Sequence, residues 1–426
     1  MKVNETIRMI KEGRMDSLLI QLYREEKLTD SRERCRMVLD GYGKTFGTEE
    51  DVLLFSSPGR TEISGNHTDH NHGKVLAGSI NLDCLGVAAK NASCQVRIVS
   101  ETYGQDFTID LNHLEPSAKK AGTADLVKGI LKGFEESGCS VGGFNAYVTS
   151  NVISAAGVSS SASFEMLLCS MLNVFFNEGR MDTVAYAHIG KYAENHYWDK
   201  ASGLLDQMAC AVGGLITIDF CEPAVPVVEK IDFDFASQGH SLIIVQTGKG
   251  HADLSADYSA VPEEMKRVAA FFGKEVLAQI SEEDVIAHLP EIRKAAGDRS
   301  VLRALHFFSD NQWAGQEADA LERGDMDAFL ALVEQSGRSS WELLQDITPT
   351  GAVQEQAMAV ALTVAERALD GRGACRVHGG GFAGTIQAFV PLDLLESFQS
   401  QVESALGAGS CHVLSIRPVG GTVLWG

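Results

Sequence analysis

The sequence predicts an α+β protein of two domains. Its 426 residues exceed the roughly 150 that one domain typically needs, and 45% of them are hydrophobic, enough for a buried core. Alternating apolar patterns typical of strands are mixed with longer helical patterns, without the regular β–α order of a doubly wound sheet. The segment "CEPAVPVVEK" holds two of the nine prolines and is the predicted boundary between residues 1–222 and 223–426.

The first half of the chain begins with helical patterns and continues with strands. Residues 1 to about 45 carry apolar side chains at helical spacings among charged ones, which predicts an extra helical segment at the N-terminus. "DVLLFSSPGR" predicts a buried strand that ends at Pro58, and the alternating runs "QVRIVSE" and "GGFNAYVTSNV" predict two more. Strong amphipathic periodicity after "SAAGVSSS" predicts a helix, and a second is expected from Thr183 to Trp198.

The remainder of the chain repeats this mixture. "SGLLDQMACAVG" predicts a short helix that leads to the strand "GLITIDF", and "SLIIVQTG" predicts the next strand. Helical sequence fills Glu263 to Leu369. The runs "CRVHG", "GTIQAFV" and "CHVLSIRPV" predict strands that close the chain, so both predicted domains combine sheet and helix.

The negative net charge of the chain makes some classes of binding partner less favourable. Lys and Arg number 36 against 57 Asp and Glu, a formal charge of 36 − 57 = −21, which disfavours nucleic acid and anionic lipid as partners. The nine cysteines contain no C-x-x-C pair and are expected to be free thiols. The N-terminus lacks an apolar signal region and no run approaches the ~20 residues that span a bilayer, so a cytoplasmic protein is expected.

A polar run from Gly59 to Gly73, "GRTEISGNHTDHNHG", follows the first predicted strand. Imidazole and carboxylate groups suit zinc, iron or manganese, so His67, Asp69, His70 and His72 are candidate ligands in a metal-dependent hydrolase. The same groups can hold the hydroxyls of a sugar, because a carboxylate accepts two donors at once. The residue types alone leave both interpretations open.

Three segments have features of phosphate-binding loops. "GYGKTFG" contains Gly-Lys-Thr, but a P-loop also needs a glycine five residues before Gly43, and Val38 stands at that position. "GGGFAG" at 379–384 is followed by a strand rather than a helix, which favours a tight strand–turn–strand loop that approaches a ligand closely. "SAAGVSSSASFE" leads directly into the strong helix, whose free N–H groups and partial positive charge suit phosphate; helix capping is the alternative.

Taken together, these motifs resemble the galactokinase family of the GHMP kinase superfamily. "SSPGRTEISGNHTDHNHG" is similar to the family pattern P-G-R-V-N-L-I-G-E-H-T-D-Y-N-G-G, and "GVSSSASFE", "SGLLDQ", "HADLSADY" and "HGGGFAGT" resemble its later motifs in the family's order. The resemblance covers residues 46–426 approximately. It implies a ribosomal-S5-like N-terminal domain, a ferredoxin-like C-terminal domain and an active site between them.

The resemblance also implies a reaction, ATP-dependent phosphorylation of a monosaccharide at its anomeric hydroxyl with Mg²⁺ as cofactor. Asp206 matches the family's catalytic aspartate and Arg60 the arginine beside it. Whether Asp206 removes the hydroxyl proton or orients the hydroxyl stays open, as does a purely structural Arg60–Asp206 ion pair. Five positions match the family's sugar contacts: Asn66, His67, Asp69, Gly203 and Tyr258. Nucleotide contacts are expected at Gly157, Ser159, Ser160 and Ser161, and metal contacts at Ser161 and Glu194.

Two positions in the predicted sugar-binding motif differ from the family pattern. Asn66 stands where galactokinases carry a glutamate that contacts the sugar, and Glu62 replaces the asparagine of R-V-N. Galactose is the expected sugar, and N-acetylgalactosamine, arabinose or a uronic acid are the alternatives. The substitution Asn66→Glu is expected to improve galactose phosphorylation if galactose is a poor substrate. A non-catalytic sugar sensor is a further alternative, and the expected assembly is a monomer or weak homo-oligomer.

Overall fold

The computed structural model describes residues 1–118, 122–153, 156–198, 202–248 and 254–425, which form an α+β fold. Parts of two quoted motifs, residues 154–155 of "SAAG" and 251–253 of "HADLSADY", lie outside the described residues. The helices of the described residues are α1 (Val3–Lys11), α2 (Asp16–Tyr23), α3 (Leu28–Phe46), α4 (Thr123–Glu136), α5 (Ser160–Phe176), α6 (Thr183–Tyr197), α7 (Leu205–Val212), α8 (Ser255–Phe271), α9 (Glu282–Ala287), α10 (Leu289–Ala296), α11 (Asp298–Glu322), α12 (Met326–Ser339), α13 (Ala357–Leu369) and α14 (Leu395–Leu406). The strands are β1 (Leu53–Ser64), β2 (Lys74–Lys90), β3 (Gln95–Ser100), β4 (Gln105–Asp110), β5 (Phe144–Ser150), β6 (Leu215–Asp219), β7 (Val227–Ile231), β8 (His240–Gln246), β9 (Ala374–His378), β10 (Thr385–Pro391), β11 (Cys411–Leu414) and β12 (Thr422–Trp425).

The strands form two sheets. The first has the order β12-β1-β2-β5-β3-β4, with β6 pairing both β2 and β7; the second has the order β11-β8-β10-β9. All neighbours are antiparallel except β3 and β5. Two strands that follow residue 222, β7 and β12, belong to the first sheet. The division of the chain at residue 222 therefore stays a proposal, and the sheet itself draws on both sides of it.

The strand β1 continues past Pro58 to Ser64, so the predicted end at Pro58 is wrong. Pairing with β2 shifts there, from Pro58 opposite Asp83 to Arg60 opposite Ser79. An irregular register removes the need for a ladder hydrogen bond from the proline nitrogen, which is why proline is tolerated at such positions. The same strand thereby carries Arg60 and Glu62 beyond the irregularity.

Helices cover both faces of the first sheet. Phe55 and Ala88 point to one face, where they pack with apolar residues of α4, α5 and α6. Their neighbours Leu54 and Val87 point to the opposite face, where they pack with α1, α2 and α3. Because side chains alternate along a strand, two cores form from adjacent positions. The N-terminal helical segment is thus half of the packing of this sheet.

The second sheet is also packed on both faces. Ile243 and Ile386 contact α13 and α14 on one side, while Ile244 and Phe389 face α12 and the first sheet on the other. The loop between β9 and β10 joins two antiparallel strands, which confirms the strand–turn–strand prediction for residues 379–384. Within the described residues, no helix combines the length and the apolar character that crossing a bilayer requires.

Asp83 is a buried ionic hub that ties the N-terminal helices to the first sheet. Its carboxylate is 0% exposed and lies 2.8 Å from Arg34 Nη2 and 3.2 Å from Arg417 Nη1. The hydroxyls of Tyr23 and Ser56 also donate to it. Burial would raise the pKa of Asp83, but Arg34 and Arg417 hold that pKa below its usual range.

Replacing Arg34 by leucine should destabilise the fold. The change removes one of the two cations from a fully buried carboxylate, and breaking a buried ion pair costs about 3–5 kcal/mol. Urea unfolding followed by circular dichroism measures the loss. Arg36→Leu on the same helix is the control, because Arg36 pairs with Glu33 and Asp40 at the surface and its removal should change little. Equal losses of stability in the two variants would contradict a stabilising role of the Arg34–Asp83 ion pair.

Candidate active site

Three distant segments meet at Asp206. Arg60 on β1 donates from Nε to Asp206 Oδ1 at 2.9 Å and from Nη2 to the same oxygen at 2.5 Å. Ser159, at the N-terminal cap of α5, donates its hydroxyl to Oδ2. Arg60 is 7% exposed, whereas the Asp206 side chain keeps 31% of its surface open. The carboxylate is therefore fixed by the protein on one side and reachable on the other.

The loop before α5 lies directly against β1. Gly157 has φ +65° and Ser159 φ +56°, and Arg60 donates from its backbone N–H to the Val158 carbonyl at 3.1 Å and from Nη1 to the Gly157 carbonyl. A side chain at Gly59 could not be accommodated, because its Cβ would lie 2.6 Å from the Val158 oxygen. Close packing of strand and loop thus places the start of α5, with its free N–H groups, beside Arg60 and Asp206.

Glu194 on α6 lies behind the same helix start. It is 0% exposed, accepts from Ser161 Oγ at 2.9 Å and from Gln207 Nε2 at 3.1 Å, and also accepts from the Ser202 hydroxyl. Mg²⁺ commonly takes one or two protein oxygens and completes its shell with phosphate and water. A hydroxyl and a carboxylate held together at the helix start fit that requirement, with Ser161 and Glu194 as the protein ligands.

An apolar cavity of about 240 Å³ opens beside the start of α5. Ser160 and Ser161 form its edge, and its walls include Phe107 from β4, Phe164 from α5 and Trp198. The sequence interpretation missed these wall residues. No local signal could have identified them, because they come from separate strands and helices that only the fold brings together.

A second group of predicted residues lies around the glycine loop 379–384. Tyr258 donates its hydroxyl to the Gly381 carbonyl at 2.8 Å, and the His67 Nε2–H donates to the Gly380 carbonyl at 3.0 Å. Burial and the neighbouring His70 lower the pKa of His67 to about 4, so its imidazole is neutral near pH 7. These contacts join the polar run and α8 to the glycine loop, and the space that these residues border is called the recess below.

Asp69, two residues after His67, packs directly against Gly203. A Cβ at Gly203 would lie 2.4 Å from Asp69 Oδ2, so glycine is required for the approach. Glu62 connects the two groups of residues electrostatically, because its charge interacts with both Arg60 and Asp69. Hydrogen bonds therefore join Ser159 and Arg60 to Asp206, and electrostatic interactions of Glu62 relate this group to Asp69, which packs against Gly203.

Asn66 lies beside the recess but points into the protein. It is 1% exposed, donates from Nδ2 to the Gly379 carbonyl at 2.8 Å and to Glu62 Oε1 at 3.3 Å, and accepts from Ser340 Oγ at 3.1 Å. Both amide donors and the amide oxygen are used by the protein. A sugar contact by Asn66, as the sequence predicts, would require exchange of one of these bonds.

The polar run does not assemble a metal cluster. Among the described residues, no three His, Cys, Asp or Glu side chains are grouped so that they could hold one ion. His67 turns toward the glycine loop and stacks on His70 with ring centroids 5.9 Å apart, while Asp69 accepts from the His70 backbone N–H at 2.9 Å. The arrangement gives no support to the hydrolase interpretation that includes His72.

Comparison with known proteins finds family models and relatives that this chain resembles in sequence. The galactokinase galactose-binding signature matches residues 40–90, and the GHMP kinases N terminal domain matches residues 125–214. A galactokinase of Limosilactobacillus reuteri is 28% identical over 82% of the chain and 88% of its own length; one of Clostridium tetani is 27% identical over 85% and 89%.

Solved structures show the same fold. The structure of Lactococcus lactis galactokinase complexed with galactose matches with a TM-score of 0.77 and 26% identity, covering 90% of this chain and 98% of that one. A mevalonate kinase matches with a TM-score of 0.59 at 14% identity, over 85% of this chain and 99% of its own, which indicates fold alone. In sequence and in fold, this chain is therefore similar to galactokinases of the GHMP kinase superfamily.

Proposed function

We propose that this protein is a sugar kinase that transfers the γ-phosphoryl group of ATP to the anomeric hydroxyl of galactose. The observation that carries the proposal is the meeting of Arg60, Ser159 and Asp206 at the start of α5. Relatives named galactokinase support galactose as the acceptor. The products are galactose 1-phosphate and ADP.

The proposed reaction needs positioning and charge stabilisation more than covalent chemistry. The anomeric oxygen attacks the γ-phosphorus, the bond from that phosphorus to the β–γ bridging oxygen breaks, and ADP leaves. The open face of Asp206 receives or orients the hydroxyl proton. Arg60 pairs with the Asp206 carboxylate and adds positive charge beside the transferring group. Burial tends to lower the pKa of Arg60, but Asp206 and Glu62 raise it, so the guanidinium stays charged.

The proposed nucleotide site uses the start of α5 and the apolar cavity. The phosphates contact the N–H groups around Gly157, Ser159, Ser160 and Ser161, where the helix dipole favours negative charge. The cavity beside Ser160 and Ser161 has room and aromatic walls for the base. Mg²⁺, held by Ser161 and Glu194, would supply Lewis-acid stabilisation of the phosphate charge.

The proposed sugar site is the recess between the glycine loop and Asp69. Asp69 accepts hydrogen bonds from two sugar hydroxyls. His67 and Tyr258 border the ring, and the Gly203 backbone lies beside it. Every group invoked comes from one chain, so we propose a monomer or weak homo-oligomer as the working unit.

A panel of monosaccharides tests the function. Galactose, N-acetylgalactosamine, arabinose and galacturonate are each mixed with ATP and Mg²⁺, and ADP release is followed. Galactose should give the highest kcat/KM, with phosphorus NMR locating the phosphate on the anomeric oxygen. Preference for another sugar would leave the transfer chemistry in place and replace the acceptor. Absence of turnover with every sugar would contradict the proposed function.

The substitution Asp206→Asn should lower kcat by about 10²–10⁴-fold, the usual contribution of a positioned proton acceptor. The amide keeps the shape of the carboxylate but accepts no proton. Asp298→Asn is the control, because Asp298 forms an exposed ion pair with Arg293. A kcat within twofold of the unmodified protein in D206N would assign Asp206 a structural role only.

The substitution Glu194→Gln should raise the Mg²⁺ concentration for half-maximal rate at least about tenfold, because the change removes a charged oxygen ligand. The KM for the sugar should stay constant. A magnesium titration of initial rates at saturating substrates measures the effect. Glu178→Gln, at an exposed glutamate paired with Arg180, is the control. An unshifted magnesium dependence in E194Q would remove Glu194 from the metal site.

The substitution Trp198→Ala should raise the KM for ATP about tenfold, because an aromatic wall of the cavity is lost. Initial rates at varied ATP and fixed saturating sugar provide the measurement, and the KM for the sugar should not change. Trp313→Ala, on α11 and outside this cavity, is the matched control. Equal ATP affinities in W198A and W313A would show that the base binds elsewhere.

A further inference from the structure

Glu62 lies on β1 close to Arg60, and the proposed phosphoryl transfer and sugar site do not use it as a substrate contact. Arg60, Thr61 and Glu62 pair in sequence with Ser79, Gly78 and Ala77 of β2, with no irregularity between them. Side chains two apart on a regular strand leave the same face, so Glu62 emerges beside the arginine that binds Asp206. The charges of Arg60 and Asp69 both act on the Glu62 carboxylate.

The two oxygens of Glu62 have different surroundings. Oε1 accepts from Asn66 Nδ2 at 3.3 Å, whereas Oε2 accepts no hydrogen bond from any of the described residues. Glu62 is 9% exposed, and Oε2 is not among the fully buried atoms without partners, so this oxygen keeps some accessible surface. A buried carboxylate normally fills its acceptor positions, and an open one beside Asp69 indicates a place for a hydroxyl donor.

Asn66 and Glu62 form an exchanged pair relative to the family pattern. In R-V-N-L-I-G-E the asparagine comes first and the glutamate four residues later; here the glutamate comes first and the asparagine follows. The two residues bond directly to each other, and Asn66 is anchored by the Gly379 carbonyl and the Ser340 hydroxyl. The exchange keeps one carboxylate and one amide but moves the carboxylate onto β1, beside Arg60.

We propose that Glu62 is a specificity-determining residue whose Oε2 accepts a hydroxyl of the acceptor sugar, and that Asn66 is the residue that positions it. The inference rests on the proposed function and narrows its substrate class. Two carboxylates, Glu62 and Asp69, face the recess and favour a neutral sugar rich in hydroxyl donors. A uronic acid would bring a third carboxylate, so galacturonate is excluded from the acceptors by repulsion.

The charge on Glu62 should give sugar binding a pH dependence. Burial raises the pKa of Glu62 to about 7; Arg376 and Arg60 oppose the rise and Asp69 adds to it. Asp346, also buried, interacts electrostatically with both Glu62 and Arg376. The ionised carboxylate is the stronger acceptor, so the KM for the sugar should fall as pH rises from about 6 to about 8. In a Glu62→Gln variant this dependence should disappear.

The first experiment compares the KM for galactose and the KM for ATP in the unmodified protein and in E62Q. Loss of one hydrogen bond to a charged group should raise the galactose KM about tenfold or more and leave the ATP KM within twofold. Glu317→Gln is the matched control. Glu317 is another buried carboxylate influenced by Arg376, but it bonds Ser64 at 3.0 Å, outside the recess. Thermal unfolding midpoints verify that both variants fold.

A second experiment exchanges the pair. Asn66→Glu alone places a second carboxylate beside Glu62 and the Gly379 carbonyl, so activity should fall, which reverses the expectation from the sequence alone. The double variant Glu62→Asn/Asn66→Glu restores the family arrangement and should recover at least part of the lost kcat/KM for galactose. Recovery in the double variant supports a paired role that a merely structural residue would not show. Failure of the double variant to exceed N66E would overturn the pairing.

The outcomes separate this inference from the proposed function. If the unmodified protein phosphorylates galactose and E62Q has an unchanged galactose KM, the inference is overturned while the function stands. If no sugar is phosphorylated, the proposed function is contradicted. The role of Glu62 is then tested by calorimetry, which measures galactose binding to the unmodified protein and to both variants without ATP. Weaker binding in E62Q but not in E317Q supports it. Equal binding in both, or no binding to the unmodified protein, overturns it.

Discussion

The buried guanidinium of Arg60 is the constraint on which the site depends. A charged side chain that is 7% exposed is stable only if its donors are paired, and removing a partner from a buried pair costs about 3–5 kcal/mol. Its donors reach Asp206 on α7 and the Gly157 carbonyl before α5, so three segments must stay within hydrogen-bonding distance. The proposed acceptor of the proton and the proposed phosphate loop are therefore held by one side chain.

The strand that carries Arg60 also joins the two sheets. The Glu62 backbone N–H donates to His378 Nε2 at 3.2 Å on β9, and Arg376 Nη1 donates to the Ile63 carbonyl at 2.8 Å. These bonds place the glycine loop after β9 over the residues that follow β1. At Gly381, φ is +77° and a Cβ would lie 2.4 Å from the Asp346 carbonyl, so only glycine fits. One strand thus forms a wall of both the proposed phosphate site and the proposed sugar site.

Local sequence pattern accounts for much of the fold but less of the site. The helical periodicity predicted α5 and α6 closely, because an amphipathic face is a property of neighbouring residues. The predicted end of β1 at Pro58 is wrong, because the strand continues through an irregular register with β2. That register depends on the partner strand and is not visible in the local sequence. The sequence also did not predict that the Asn66 side chain points into the protein, because this orientation depends on the positive φ angles at Gly65 and His67, which turn the chain there. The apolar cavity needed residues from β4, α5 and the end of α6, which only the tertiary fold unites.

The acidic composition makes short-range interactions decisive for the proposed nucleotide binding. A formal charge of −21 repels a triphosphate at long range, and salt screens that repulsion beyond about 8–10 Å. Affinity must then come from groups at contact distance, namely the N–H groups at the start of α5 and the Arg60 guanidinium. Burial raises the pKa values of Glu62, Glu317 and Asp346, which lowers the negative charge of the interior at neutral pH. Protonation of buried carboxylates therefore offsets part of the formal charge that would repel the nucleotide.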